Sequence, residues 1–485
     1  MPAEGKTKSP QPPSRQADFA GHRTIQSVLH GVPEARTLRA ALMETLLRGG
    51  VIVTCDAHDR VFEGDALVGD GRIRALGPDA AAHASNTPLR VIDARGCAVM
   101  PGLVQAHVHL CQVLFRGVAD DLPLLAWLRE RIWPLEAAHD PASLRASADL
   151  GLVELLRGGT TTVLDMGTVR HHDVVFEALR DAGVRAASGK AMMDAGDGVP
   201  AGLRETTAES LAESERLCAR WHGAADGRLR YAFAPRFVLS CTEALLRETA
   251  VTARRYGALL HTHASEHPGE RVAVRAALGE DDVDALARWG VAGPDTVLAH
   301  CVQVTDVQRA AMAAAGTRVA HCPSANLKLG SGVADVPAFL RAGVVVGLGA
   351  DGAPCNNNLD AWVEMRHAGL LAKRNDDTTA LPARDVVRLA TIEGARALGI
   401  DGEVGSLEVG KRADVIVVEL GGAHVEPGGG ALARLAYAVQ SRDVRHVMVD
   451  GRLLVRDRAV LSVDAERAVA TARVELGRVL ARAGL

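Results

Sequence analysis

Apolar and polar residues alternate around turn glycines in VIVTCD (51–56) and DALVGDGRIRALGP (65–78). A period of two predicts strands with one buried face. GSLEVGKRADVIVVEL (405–420) and VRHVMVDGRLLVRDRAV (444–460) repeat the pattern near the other end. A small β-sandwich is therefore expected from both chain ends, over 46–100 and 405–460. The middle, 101–400, alternates short apolar runs with helical periodicity. Strands are expected at 102–109, 160–166, 184–192, 229–235, 258–263, 296–300, 318–323 and 344–351, with helical stretches such as 273–289 between them. Eight strands alternating with helices predict an α/β fold, a (β/α)8 TIM-like barrel. A helix is expected over 461–485. The opening MPAEGKTKSPQPPSRQADFAGHR is polar and Pro-rich, which predicts a disordered tail over 1–40.

Composition narrows the function classes. The chain has 485 residues, enough for a barrel of about 250 residues with added elements. With 48% hydrophobic and 24% charged residues, a packed core is expected. A net charge of −4 without a dense basic run argues against a nucleic-acid partner. Eight scattered cysteines include no C-x-x-C pair, which argues against a disulfide framework and a thiolate zinc site. No apolar secretory core and no uninterrupted apolar run of about 18 residues occurs, so no export signal or membrane span is expected. A cytoplasmic enzyme fits these features.

Candidate chemistry gathers at strand ends. His107 and His109 close the first barrel strand as HVH, and side chains at i and i+2 share a strand face. Imidazoles at a barrel mouth suit zinc, with one position left for water. Strand five ends at His261 and His263, strand six at His300 and strand eight at Asp351. Unpaired polar groups buried at such sites cost about 1–3 kcal/mol each, so one catalytic centre accounts for them jointly.

PGLVQAHVH, HASE, VLAHC, GADGAPCNNNLD and GSLEVGKRADVIVV together resemble the amidohydrolase superfamily. More narrowly they resemble its metal-dependent aminohydrolase branch, which includes 5-methylthioadenosine/S-adenosylhomocysteine deaminases, guanine deaminases and triazine hydrolases. The likeness covers about 46–460. It implies one divalent ion per chain, usually Zn2+ with Fe2+ as the alternative, on His107, His109, His263 and Asp351. The H-x-x-E spacing selects His263 with Glu266, since position 264 is alanine, and leaves His261 a supporting role. Arg236 stands where a carboxylated lysine would end strand four, so a binuclear centre is not implied. Glu266 would protonate the substrate ring, His300 would hydrogen-bond the attacking water, and Asp351 would also take its proton. His267 and Glu270, past a turn expected at Pro268 and Gly269, receive no chemistry.

The resemblance also implies substrate contacts. Gln112 and Arg236 would meet the polar edge of a purine and Phe237 its ring, as in guanine deaminases. Glu136 would accept from ribose hydroxyls with Trp133 beside it, as in nucleoside deaminases. The carboxyl-terminal half matches the latter over the longer run. The implied activity is hydrolytic deamination of an aminated purine, foremost a 5′-modified adenosine: 5′-deoxyadenosine, methylthioadenosine or S-adenosylhomocysteine. Guanine deamination and triazine amino- or chlorohydrolysis are the alternatives. A catalytically inactive homologue is disfavoured because all six metal and proton-transfer residues are present. The resemblance further implies a homodimer or homotetramer.

Overall fold

The computed structural model describes residues 43–85, 88–374 and 377–485. The tail expected over 1–40 lies outside them. Eight parallel strands form the barrel: Leu103–Val108, Thr160–Met166, Arg185–Gly189, Leu229–Pro235, Leu259–Ala264, Thr296–His300, Arg318–His321 and Val346–Leu348. Each pairs with the next, and the last returns to the first through Leu348 opposite Gln105. Inside the barrel, Val104, Ala106, Leu164, Ala187, Ala232, Val297 and Ala320 pack together. Small side chains at most of these positions allow the strands to close around a solid core.

The expected third strand is split, Arg185–Gly189 being followed by the short strand Ala191–Met192. A Cβ on Gly189 would lie 1.7 Å from the Ala232 carbonyl oxygen, so only glycine permits this approach. The intervening Lys190 is buried and its ammonium lies 2.6 Å from Glu205. The expected helix over 273–289 is two helices, Pro268–Leu278 and Asp282–Arg288. Gly279 ends the first at φ 78°, a left-handed stop suited to glycine. Pro268 and Gly269 begin that helix rather than a turn, and proline is well placed at a first helical position.

A second, mixed sheet is built from both chain ends. Glu44–Val53, Val61–Gly69, Arg72–Gly77, Leu89–Asp93 and Cys97–Pro101 come from one side of the barrel sequence. Val415–Glu419, Val444–Val449, Arg452–Arg456 and Ala459–Val460 come from the other. The halves join where Cys97–Pro101 runs antiparallel to Val415–Glu419, Val99 facing Val417. Buried Arg185 on barrel strand three bonds Asp414 at 2.9 Å and Asp450 at 2.5 Å, tying this sheet to the barrel. The last helix, Ala465–Ala483, packs on Pro141–Arg157. All eight cysteines are buried and free. Among the described residues, no helix is long and apolar enough to cross a membrane.

Candidate active site

The carboxyl ends of barrel strands one, five, six and eight converge. His107 lies within strand one and His109 one residue past its end. Their rings sit 4.7 Å apart, centroid to centroid. Strand eight stops at Leu348, and Gly349 then lets the chain press against strand one: a Cβ there would lie 2.5 Å from the His107 carbonyl oxygen. Asp351 consequently bridges to Val108 and donates its N–H to His107 O at 3.1 Å. Ser265, His300 and Asp351 take left-handed backbone at φ 50°, 72° and 63°. Such conformations are uncommon for these residues and gather at functional sites.

His107, His109, His263 and Asp351 offer ligand atoms that all lie within 4.8 Å of one another. Asp351 Oδ1 is 3.2 Å from His107 Nε2 and 3.3 Å from His109 Nε2, and the His109 and His263 Nε2 atoms are 3.2 Å apart. Behind them, His109 Nδ1 lies 2.7 Å from Met166 O and His263 Nδ1 2.7 Å from Arg236 O. A carbonyl only accepts, so both rings carry their proton on Nδ1 and turn an Nε2 lone pair inward. His107 Nε2 is buried without a hydrogen-bond partner among the described residues. Burial lowers His107 to about 4 and His109 to about 3, and pushes His263 well below the usual range, which keeps the rings neutral. Burial opposes ionisation of Asp351, yet His107, followed by His300 and His109, holds it well below the carboxylate range. Three neutral imidazoles and one carboxylate, with an orphaned inward nitrogen, fit a divalent ion of the zinc type.

Glu266 follows strand five, 4% exposed, with Oε2 3.6 Å from His300 Nε2. Its Oε1 has no hydrogen-bond partner among the described residues. Burial, then the charge of Asp351, drives its carboxyl well above the ordinary range, which favours the protonated acid. His300 Nδ1 lies 2.8 Å from Asn326 Oδ1, and its Nε2 is 3.9 Å from Asp351 Oδ2.

A pocket opens over these groups. His109, His263, Glu266, His300 and Asp351 line it, with Gln112, Arg236 and Phe237 from the expected substrate set. Trp133 and Glu136 are buried behind that lining. Glu136 takes Arg236 at 2.6 and 3.2 Å and Gln112 Nε2 at 2.8 Å. Burial works against both charges, but each partner holds the other ionised: Arg236 lowers Glu136, and Glu136 raises Arg236. Leu124, Trp127, Leu128 and Leu329 complete the wall. Sequence reasoning passed over these four, although spacings of three and four mark Leu124, Trp127 and Leu128 as one helix face.

Residues 98–454 match the amidohydrolase family. The chain is 42% identical to a 5′-deoxyadenosine deaminase of Methanothermobacter thermautotrophicus, over 82% of this chain and 90% of that protein. It is 39% identical to a 5-methylthioadenosine/S-adenosylhomocysteine deaminase of Moorella thermoacetica, over 84% and 93%. The crystal structure of an adenosine deaminase from Xanthomonas campestris with bound zinc superposes with a TM-score of 0.84 at 33% identity, covering 90% of this chain and 99% of that one. With the barrel, the inward histidines and Asp351 in place, the chain belongs to the amidohydrolase family.

Proposed function

We infer that this chain is a metal-dependent hydrolytic deaminase of an aminated purine, foremost a 5′-modified adenosine. The observation that carries this is the buried Glu266 carboxyl, 3.6 Å from His300 Nε2, beside the converging side chains of His107, His109, His263 and Asp351. His107, His109, His263 and Asp351 would hold the ion, zinc by the donor set with ferrous iron as the alternative. When bound, the ion supplies the Lewis acidity that makes water a nucleophile near neutral pH.

The remaining steps belong to the chain. Glu266 protonates the ring nitrogen beside the amino-bearing carbon as water attacks that carbon. His300 is oriented by Asn326 and accepts a hydrogen bond from the water through Nε2. Asp351 takes one proton of the water and passes it to the departing amino group, while the hydroxyl left on the carbon returns its proton to Glu266, so water and amine become a ring carbonyl and ammonia. Arg236 and Gln112 meet the polar edge of the base, Phe237 packs on its face, and Leu124, Trp127, Leu128 and Leu329 exclude bulk water. Barrel residues 101–400 would be the catalytic domain, flanked by the β-sandwich of 46–100 and 405–460 and a C-terminal helix over 461–485. The setting is a cytoplasmic homodimer or homotetramer.

Guanine is the second reading, because Gln112, Arg236 and Phe237 line the cavity whereas Glu136 stands behind it. The test is ammonia release from 5′-deoxyadenosine, methylthioadenosine, S-adenosylhomocysteine, adenosine, guanine and an aminotriazine, with metal content measured alongside. About one zinc per chain and fastest turnover of a 5′-modified adenosine are expected. Folded, metal-loaded protein that releases no ammonia from any of them refutes the reading.

A further inference from the structure

Among the buried carboxyl groups that the mechanism leaves unused, two lie next to Glu266. Glu270 and Asp282 are 1% and 3% exposed, and neither has an ion-pair partner among the described residues. Both sit directly behind the segment that presents Glu266. Glu270 Oε2 accepts the backbone N–H of Glu266 at 2.9 Å and that of His267 at 3.3 Å. Asp282 Oδ2 accepts the Ser265 N–H at 2.5 Å, and Asp282 Oδ1 accepts the Ser265 hydroxyl. Gln303 N donates to Ser265 O at 2.8 Å from the other side. Ser265 is held in a left-handed conformation, φ 50°, at the turn where the chain leaves strand five.

A capping role accounts for part of this. Glu270 is the third residue of the helix Pro268–Leu278, and its bond to His267 N is an ordinary capping-box contact. The bond to Glu266 N lies one residue outside that box. A helix cap also needs no burial, whereas this carboxyl is shut away from water beside a second one. Burial, then Asp282 and Glu266, raises the Glu270 carboxyl above its ordinary range. Two uncompensated buried acids are costly to keep unless their acceptor geometry is used. What they accept are the consecutive N–H groups of Ser265, Glu266 and His267.

We propose that Glu270, with Asp282, is a positioning residue for Glu266: the pair clamps the Ser265–His267 backbone so that the Glu266 carboxyl faces the reacting centre. This rests on the reading of Glu266 as the proton donor. Misplacing a catalytic group by about 1 Å costs up to about 100-fold in rate. The clamp touches no metal ligand side chain, so its loss spares the metal.

The test combines a mutant cycle with a readout independent of turnover. E270A is expected to lower kcat about 10- to 100-fold with KM within about twofold and metal content unchanged. E270Q, whose amide oxygen still accepts both N–H groups, recovers most of that loss. E266Q/E270A turns over no more slowly than E266Q alone, because Glu270 acts through Glu266. If E270A does not fold, E270D carries the same expectation, since it keeps the acid but withdraws it by one methylene. In parallel, E270A or E270D speeds amide hydrogen exchange at residues 265–267 in the metal-loaded protein. Wild-type kcat in E270A or E270D, or a loss that multiplies with E266Q, overturns the proposal. If wild type deaminates none of the purines yet exchange at 265–267 still speeds up, the clamp stands and the deaminase reading alone falls.

Discussion

His261 Nε2 lies 2.7 Å from His107 Nδ1, and His261 Nδ1 lies 2.9 Å from the Val297 carbonyl oxygen. The carbonyl fixes the proton of His261 on Nδ1, so its Nε2 accepts from His107 and leaves the His107 Nε2 lone pair facing the centre. Burial holds both rings neutral by lowering each to about 4. In the proposed ligand set His261 would therefore orient His107. His261→Ala should still purify with metal when metal is supplied, while its affinity falls about 10- to 100-fold. Titration against a competing chelator measures this; complete loss of binding would make His261 a ligand in its own right.

Glu266→Gln removes the transferable proton and keeps the shape. Metal content should stay at the wild-type level and kcat should fall about 10²- to 10⁴-fold. Steady-state ammonia release with elemental analysis of the same sample decides it, and normal turnover assigns the proton to another group.

The Glu136–Arg236 pair is buried, with only Arg236 reaching the pocket wall, so breaking it from one side strands a charge. Glu136→Ala should cost about 3–5 kcal/mol of folding stability. Replacing both partners, Glu136→Ala with Arg236→Met, should be less harmful than Glu136→Ala alone, because no buried charge is left unpaired. Denaturant unfolding of the two variants compares them, and equal losses would place the cost in packing.

His139 supplies a pH dependence away from the metal centre. Its ring nitrogens lie 2.8 Å from Cys111 O and 3.0 Å from Ser143 Oγ, and burial lowers it from 6.5 to about 4. Above pH 6.5 its contribution to stability is fully present. As pH falls from 6.5 toward 4, the unfolded chain binds a proton that the folded one refuses, and stability is lost. The limiting slope for one such proton is about 1.4 kcal/mol per pH unit. His139→Gln should flatten the acid limb of the stability curve, and an unchanged slope would exclude His139 as a contributor.

The convergence of the four candidate ligands was readable because strand ends are written locally. HVH and H-x-x-E each lie within a few residues, and a barrel turns every strand end toward the same mouth. The structure brings His107, His109, His263 and Asp351 together without any of them being displaced from its expected strand end. What surrounds them was less legible. Glu270 received no chemistry, because the acceptor it offers serves a backbone N–H four residues earlier, and main-chain partners leave no trace in side-chain identity. Asp282 is brought in by a second helix that a single periodic stretch concealed, Gly279 being the one break in the pattern. Trp127 rather than Trp133 faces the cavity, a choice between two tryptophans that depends on a π-helical turn over Leu128–Ile132.

Asp351 reaches His107 only because strand eight folds back onto strand one. The metal cradle therefore straddles the seam of the barrel, its members drawn from near the start, the middle and the end of the barrel sequence. Only a fragment that spans all eight barrel strands contains it. On the proposed ligand set, the eighth strand would have to leave the ribosome before an ion could be held by all four residues. Ion capture at the proposed set would therefore report closure of the barrel, strand eight on strand one, whatever the state of the chain that follows Asp351.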